Sequence, residues 1–179
     1  VSTAYEGKIE YMQILDKDGN VDSSLEPRLP KEMLDRGYGL MVFTRQWDRK
    51  SVALQRTGRM FTYAPIEGQE AVAVGSALAA LPEDWLFPSY REANATYYTR
   101  GYPAYKSNLA WMGIEEGQRI DRKLRCYPFV IPIATQLPHA VGAAYALRLK
   151  GEKVACIAIC GDGGTSESDF HDAMNFAGV

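Results

Sequence analysis

The chain has 179 residues, of which 46% are hydrophobic and 23% charged, and its formal net charge is −2. These values are ordinary for a globular domain with a core, and they exclude the strongly basic surface that binds a nucleic-acid backbone. No apolar run approaches the roughly 20 residues needed to span a bilayer, and the polar start lacks the pattern of a secretory signal. We therefore expect a cytoplasmic protein, or a mitochondrial matrix protein if its source is eukaryotic.

The first third of the chain predicts an arm followed by a long helix. Residues 1–29 are polar and irregular, and we expect them to form an N-terminal arm in which Asp16-Lys-Asp-Gly-Asn20 makes a turn. A helical pattern with apolar positions such as Phe43 opens at Pro30 and runs to about residue 57. Gly58 suits the left-handed residue that ends such a helix.

The middle of the chain predicts short elements. A second helix over residues 68–81 is rich in alanine, so another subunit or another part of the same chain could approach it closely. The segments that follow are an extended piece at 85–88, helices at 92–100 and 105–112, an exposed charged loop at 113–125 and a helix at 140–150.

The end of the chain predicts the fold class. Residues 154–160 form a continuous apolar run, as expected of a strand buried on both faces of a parallel sheet. The loop Gly161-Asp-Gly-Gly164 follows, and Thr165 or Ser166 is suited to cap the next helix. This order predicts an α/β fold with a parallel sheet flanked by helices. Since such a sheet needs more strands, we expect it to be incomplete in this chain, with residues 30–179 as the truncated front part of a domain.

The glycine loop is the first candidate site. At the carboxyl end of a strand it lets backbone amides approach a phosphate closely, and Asp162 could ligate magnesium, which prefers carboxylate and phosphate oxygens. The loop lacks both the Gly-Lys-Ser/Thr of a Walker loop and the third glycine of the dinucleotide fingerprint. Spacing alone is equally compatible with a plain strand-to-helix turn in which Asp162 is solvated.

Cysteine and histidine offer little further chemistry. The odd cysteine count and wide spacing of Cys126, Cys156 and Cys160 predict free thiols. With only His139 and His171 as further ligands, a zinc site is poorly supported. For both histidines a solvated or structural role is favoured over acid–base catalysis.

Four blocks of sequence, in order along the chain, resemble a known family. They cover most of residues 30–179 and are similar to the alpha subunits of the thiamine-diphosphate-dependent decarboxylating component of pyruvate and branched-chain 2-oxo acid dehydrogenase complexes. The last block resembles the family's thiamine-diphosphate motif, which begins with Gly-Asp-Gly. The resemblance therefore implies a thiamine-diphosphate-binding fold. The blocks are residues 55–71, 87–92, 131–145 and 161–177.

The resemblance also implies a site for thiamine diphosphate and magnesium. Tyr90 and Arg91 would contact the diphosphate, and Asp162 would be the magnesium ligand. Ile131 would offer backbone groups to the aminopyrimidine, and Ile133 would hold the cofactor bent. Without the resemblance, Arg91 would be half of a surface ion pair, for example with Glu92, and Ile133 a core residue. The cofactor-binding residues implied are Tyr90, Arg91, Ile131, Ile133, Gly161, Asp162, Gly163 and Gly164.

Some family members also have a potassium site. The resemblance implies that Thr135 and Gln136 of this chain would belong to such a site. No catalytic acid or base is assigned to this chain, because the resemblance places those groups in the beta subunit and beyond these residues. The partners implied are a beta subunit in an alpha2beta2 heterotetramer and the lipoyl-bearing acyltransferase core. We expect no activity from this chain without the beta subunit.

The implied reaction is oxidative decarboxylation of a 2-oxo acid with transfer of the acyl group to a lipoyl domain. Tyr63-Ala-Pro resembles pyruvate-type subunits and Pro132-Ile-Ala-Thr-Gln resembles branched-chain ones, with a slight balance toward pyruvate. One alternative is an inactive truncated alpha fragment that keeps only subunit contacts. Another is a transketolase-like enzyme with the same cofactor, against which the Tyr90-Arg91 block counts.

Overall fold

The computed structural model describes residues 2–179 and divides the chain into two units. One unit ends at Leu34 and the other spans Asp35–Val179. None of the described helices combines the length and apolar character needed to cross a membrane. The elements are α1 (Lys31–Arg56), α2 (Glu70–Ala79), β1 (Trp85–Phe87), α3 (Ala93–Thr99), α4 (Ala104–Trp111), α5 (Gln136–Leu149), β2 (Cys156–Ala158) and α6 (Ser168–Gly178).

The first unit contains the predicted turn. The Asp16 carboxylate accepts hydrogen bonds from the backbone nitrogens of Asp18 and Asn20, each at 2.8 Å. Leu15 and Val21 form a single antiparallel bridge on either side. The predicted turn is therefore confirmed.

Helix α1 has nearly the predicted bounds, and predicted apolar positions such as Leu40 and Leu54 pack against buried clusters. Its fully buried residues are Thr44, Asp48 and Ser51, which share one face because they follow a spacing of four and three. Phe43, one of the apolar positions of the pattern, is 43% exposed. The buried stripe is polar because its members bond to segments distant in sequence. Gly58 has a φ of 71°, which confirms the predicted left-handed residue after the helix.

Two of those distant bonds fasten α1 to the short helices. The Tyr98 hydroxyl of α3 donates to Thr44 Oγ1 at 2.5 Å, and Asn108 Nδ2 of α4 donates to Ser51 Oγ at 2.9 Å. Buried polar side chains lose their contact with water, so each needs a partner inside the protein. These bonds therefore fix the positions of α3 and α4 along α1.

The sheet is parallel, as predicted. Strand β1 pairs with β2, and Leu86 also forms an isolated parallel bridge with Cys126 on the other side of β1. The register of the two strands pairs Trp85 with Cys156, Leu86 with Ile157 and Phe87 with Ala158. A core forms around β1, with these buried residues: Met60, Ala77, Leu86, Ala93, Tyr97, Tyr102, Trp111, Cys126 and Phe129.

Strand β2 and helix α5 differ from the sequence prediction. All three residues of β2 are only half-buried, because among residues 2–179 only β1 pairs with this strand. Helix α5 begins at Gln136 rather than at residue 140. The Gln136 side chain is buried and donates from Nε2 to the carbonyl of Ile159 at 2.6 Å, so the first turn of the helix is held against the end of β2.

The loop at 113–125 is mostly exposed, as predicted, but it contains 3-10 turns at Glu115–Gln118 and Arg122–Leu124, and Gly117 is buried. The predicted cap of the last helix was wrong. Thr165 does not cap α6, because Asp162–Ser166 form a 3-10 turn in which Thr165 Oγ1 donates to the Asp162 carbonyl at 2.6 Å. Glu167 takes the capping position without a side-chain hydrogen bond.

Salt bridges join α1 to the first residue of α2 and to the loop before it. Glu70 accepts a hydrogen bond from Arg45 Nε and, at 3.0 Å, from the backbone nitrogen of Gly68. Arg49 Nη2 pairs with Glu67 at 2.9 Å on the exposed side. The hydrogen bond from Arg45 lowers the pKa of Glu70 below its ordinary range, although burial acts in the opposite direction. The ionised carboxylate is therefore the form that stabilises the fold.

We expect Gly117→Ala to lower the free energy of unfolding by about 2–3 kcal/mol. A Cβ at this position would overlap the Ala110 nitrogen and would lie 2.7 Å from the Lys106 carbonyl oxygen, both of them rigid helix backbone. Gly39→Ala is the control, because a Cβ there meets nothing within 4 Å, and it should raise stability by about 1 kcal/mol. Urea unfolding of both variants measures the difference, and equal stabilities would contradict the packing described here.

We expect Glu70→Gln to lower the thermal unfolding midpoint at pH 7. The pKa of Glu70 is lowered in the folded state, so its ionised form stabilises the fold. This contribution to the free energy of unfolding is complete above the unfolded pKa of about 4.3 and is lost as the pH falls through the pKa of the folded state. The gap between the variant and the parent should therefore close below about pH 4. Glu67→Gln, whose side chain is 45% exposed, is the control and should change little at either pH. A gap that is independent of pH would contradict this assignment.

Candidate functional site

Three segments of the chain leave the sheet at the same edge. Strands β1 and β2 run parallel, and the bridge between Leu86 and Cys126 is also parallel. The carboxyl ends of parallel strands meet at one edge, which is where ligands bind in α/β sheets. Every predicted cofactor residue follows one of these three ends: Tyr90 and Arg91 follow β1, Ile131 and Ile133 follow Cys126, and Gly161, Asp162, Gly163 and Gly164 follow β2.

The glycine loop presents an open face. Gly161, Asp162 and Gly163 are exposed, and Gly164 is buried. The Gly164 nitrogen donates to the Gly161 carbonyl at 3.0 Å, which closes the turn. A Cβ added at Gly161 or Gly163 would meet nothing within 4 Å. The loop therefore has room for a ligand to approach its backbone, with the Asp162 carboxylate beside it.

Ile133 lies against this loop. A Cβ added at Gly164 would lie 3.5 Å from Ile133 Cγ2, so the glycine lets the two segments approach closely. Ile133 is 49% exposed and Ile131 is 55% exposed. The alternative that Ile133 is simply a core residue is therefore wrong, because half of its apolar surface remains uncovered. The structure brings Ile133 and the glycine loop together at one surface.

The backbone beside Ile133 is held in an unusual conformation. Ala134 has a φ of 68° and is buried, and this left-handed region is costly for any residue with a Cβ. The next residue, Thr135, donates from Oγ1 to Asp169 Oδ2 at 3.1 Å, which ties the segment to α6. No local pattern in the sequence indicates the conformation of Ala134, because it depends on this long-range contact and on the buried Gln136.

Arg91 is tethered to a distant loop. Its Nη1 donates to the carbonyl of Pro65, and its guanidinium carbon lies 6.0 Å from the centroid of the Tyr90 ring. Glu92, the proposed ion-pair partner, is buried and accepts a hydrogen bond from the Ser89 hydroxyl instead. A guanidinium carries five N–H donors, so one bond to Pro65 leaves others to serve a ligand.

A divalent ion at Asp162 would need further ligands besides this one carboxylate. Among residues 2–179, no three histidine, cysteine, aspartate or glutamate side chains are grouped so that they could hold a metal ion. Magnesium is often bound by one or two carboxylates together with substrate phosphates and water. A single carboxylate in an open glycine loop fits that kind of site.

The remaining titratable candidates do not gather at the loop. His139 is exposed and its ring lies 5.0 Å from that of Tyr127, while His171 is exposed on α6 and contacts Phe170 edge-on. All three thiols are free, as predicted, and burial raises the pKa of Cys126 to about 12. A thiol with such a pKa is protonated near neutrality and cannot act as a thiolate nucleophile.

An apolar cavity of about 760 Å³ lies elsewhere, between α5, β2 and α6. Its lining includes Leu137, Tyr145, Ala158 and Phe176, and none of the predicted cofactor residues contributes to it. The candidate site is therefore an open sheet edge and not this cavity.

Comparisons with known proteins agree with the resemblance. The family model described as "Dehydrogenase E1 component" matches residues 38–179. The 3-methyl-2-oxobutanoate dehydrogenase subunit alpha of Mycobacterium tuberculosis is 42% identical over 173 residues, which are 96% of this chain and 47% of the relative. The pyruvate dehydrogenase E1 component subunit alpha of Acholeplasma laidlawii is 39% identical over 90% of this chain, and that of Mycoplasma genitalium is 36% identical over 93%.

The chain spans about half the length of these curated relatives, 47% in each case. The family match takes in all four sequence blocks in full and most of the long helix, so it rests on far more than the glycine loop. The chain belongs to the dehydrogenase E1 component family, alongside alpha subunits of pyruvate and branched-chain 2-oxo acid dehydrogenases.

Proposed function

We propose that this chain supplies the diphosphate and magnesium side of a thiamine-diphosphate site in the alpha subunit of a 2-oxo acid dehydrogenase. In this proposal, residues 30–179 are the front part of the thiamine-diphosphate-binding domain and residues 1–29 its N-terminal arm. The observation that carries the proposal is the sheet edge, where all eight predicted cofactor residues follow the ends of three mutually parallel segments. Family membership supports the same cofactor.

The glycine loop and Arg91 would hold the charged end of the cofactor. Asp162 would ligate magnesium, and phosphate oxygens would supply further ligands, since residues 2–179 hold no group of three acidic, histidine or cysteine side chains that could bind the ion. Gly161 and Gly163 leave open space in which phosphate oxygens can reach the backbone. The Arg91 guanidinium, together with the Tyr90 hydroxyl, would bind the diphosphate through charge-assisted hydrogen bonds.

The exposed isoleucines would hold the uncharged part. Ile133 has uncovered apolar surface next to the glycine loop, and covering it with a ring of the cofactor would be favourable. Ile131, two residues earlier, would offer backbone groups to the aminopyrimidine. The left-handed Ala134 between Ile133 and α5 keeps this segment in one conformation, so that the surface is formed before a ligand arrives.

Thiamine diphosphate, when bound, supplies the electron sink for decarboxylation of a 2-oxo acid. The predicted cofactor residues are a carboxylate, a guanidinium, a phenol, glycines and isoleucines, none of which ordinarily exchanges a proton near neutral pH. In keeping with the family resemblance, the proposal assigns acid–base catalysis to a beta subunit in an alpha2beta2 assembly and to the part of the alpha subunit beyond these residues. The acyl group would then pass to the lipoyl domain of an acyltransferase core.

The substrate would be pyruvate or a branched-chain 2-oxo acid. Tyr63-Ala-Pro favours pyruvate slightly, whereas the relative with 42% identity is named for 3-methyl-2-oxobutanoate. The predicted potassium site would use side-chain oxygens of Thr135 and Gln136. Gln136 donates from Nε2 to the Ile159 carbonyl and Thr135 donates its hydroxyl proton to Asp169, and these bonds leave the oxygen lone pairs of both side chains for the ion.

We expect Asp162→Asn to weaken binding of thiamine diphosphate in the presence of magnesium by at least about 100-fold, because loss of groups that only orient a metal ligand already costs about 10–100-fold. Isothermal titration calorimetry on the complete subunit with its partner measures this. Asp172→Asn, an exposed carboxylate on α6, is the matched control and should bind like the parent. Equal affinity of the two variants would contradict the role of Asp162. A parent protein that binds no cofactor would favour the inactive fragment.

We expect Ile133→Ala to weaken thiamine diphosphate binding about tenfold, since half of an isoleucine side chain contributes about 1–1.5 kcal/mol when it is covered. Ile114→Ala is the control, because Ile114 is similarly exposed, at 46%, on another part of the fold. The same titration distinguishes them, and an equal loss in both variants would show that Ile133 does not contact the cofactor.

A further inference from the structure

We propose that Asp48 is a positioning residue, which holds the loop at residues 63–66 so that this loop fixes the Arg91 guanidinium at the sheet edge. The proposal rests on the proposed function, because it is Arg91 that would bind the diphosphate. The sequence gives no hint of it, since Asp48 lies within a long helix and 43 positions before Arg91.

Asp48 is buried, with 1% of its surface exposed, and its bonds go to the 63–66 loop. Its Oδ1 accepts a hydrogen bond from the Tyr63 hydroxyl at 2.8 Å and another from the Ile66 nitrogen at 2.9 Å. A buried carboxylate is costly unless donors compensate for the lost water. Both donors belong to one short segment, so the carboxylate fixes that segment at two points.

Pro65 lies between those two points. Its carbonyl accepts the hydrogen bond from Arg91 Nη1, so the atom that holds the guanidinium belongs to the segment that Asp48 holds. Proline has a fixed φ and no N–H, which restricts how its peptide can rotate. With Tyr63 and Ile66 both bonded to Asp48, the direction of the Pro65 carbonyl is set from both sides.

Pro65 itself is exposed, but the residues on either side of it pack against the core. The Tyr63 ring packs edge-on against Trp111 with centroids 5.4 Å apart, and Ile66 lies in a core cluster with Val74. Burial raises the pKa of Tyr63, and the negative charge of Asp48 raises it further, so the Tyr63 hydroxyl stays protonated and keeps its hydrogen bond to Asp48. The 63–66 loop is therefore anchored in the core by Tyr63 and Ile66, whereas Arg91, which bonds to this loop, is only half-buried.

Other buried polar residues of α1 allow a test of this role. Thr44 lies one turn earlier on the same face, is equally buried, and bonds to Tyr98 rather than to the loop. Asp48→Asn keeps the size of the side chain but replaces the charged acceptor with an amide. Thr44→Val removes a buried hydrogen bond without touching the 63–66 loop. The two variants separate a general loss of stability from a specific loss of Arg91 positioning.

The experiment uses the complete subunit with its partner and titrates thiamine diphosphate at saturating magnesium. Asp48→Asn should raise Kd about tenfold, the loss expected when one charge-assisted hydrogen bond is misplaced, while kcat at saturating cofactor stays within about twofold. Tyr63→Phe, which removes one of the two bonds, should give a smaller rise. Thr44→Val should leave Kd unchanged even where it lowers the unfolding temperature.

A double-mutant cycle decides whether Asp48 acts through Arg91. In an Arg91→Ala background, Asp48→Asn should add no further loss of affinity, because the group it positions is gone. An equal tenfold loss in that background would overturn the proposal, as would an unchanged Kd in Asp48→Asn alone.

Hydrogen exchange gives a readout that needs no cofactor. Asp48→Asn should speed exchange in both segments 63–66 and 89–92, whereas Thr44→Val should speed it in neither. Faster exchange confined to 63–66 would overturn the link to Arg91. If the parent protein binds no thiamine diphosphate, the proposed function fails, and the exchange rates still decide whether Asp48 holds the Arg91 segment.

Discussion

The buried polar face of α1 is the constraint on which the rest of this part of the fold depends. Thr44, Asp48 and Ser51 lie in one stripe, and each bonds to a different segment of the chain. Such bonds are directional and must all be made at once, since an unpaired buried polar group is costly. An apolar stripe would tolerate sliding of the packed segments, whereas this one specifies a single position for α3, α4 and the 63–66 loop.

The sheet adds a second constraint, which brings the chemistry together. Two strands of three residues each are too short to be stable alone, but their parallel pairing directs three loops to one edge. Two contacts connect that edge to the rest of the fold. Arg91 bonds to the Pro65 carbonyl in the loop that α1 holds, and Gln136 bonds to the Ile159 carbonyl at the end of β2. Groups from distant parts of the sequence thus meet at one surface.

The local sequence pattern predicted where helices and strands lie better than it predicted which of their side chains are buried. The bounds of α1, the strand before the glycine loop and the parallel sheet followed from periodicity and from turn residues. The buried face of α1 did not, because Asp48 is recognisable as a core residue only once Tyr63 and Ile66 are known to reach it. The left-handed Ala134 was missed for the same reason, since its conformation is imposed by contacts distant in sequence. The glycine loop with Asp162 was a candidate from local pattern, the other candidate residues came from the family resemblance, and the structure contributed their placement at one edge.

The most direct test of the account is a structure of the complete protein crystallised with thiamine diphosphate and magnesium. The account predicts a metal ion about 2.0–2.1 Å from an Asp162 carboxylate oxygen, with the diphosphate beside Gly161 and Gly163. It also predicts the Arg91 guanidinium on the diphosphate while the Pro65 carbonyl still holds it. A cofactor bound elsewhere, with Asp162 facing only water, would contradict the assignment of this sheet edge.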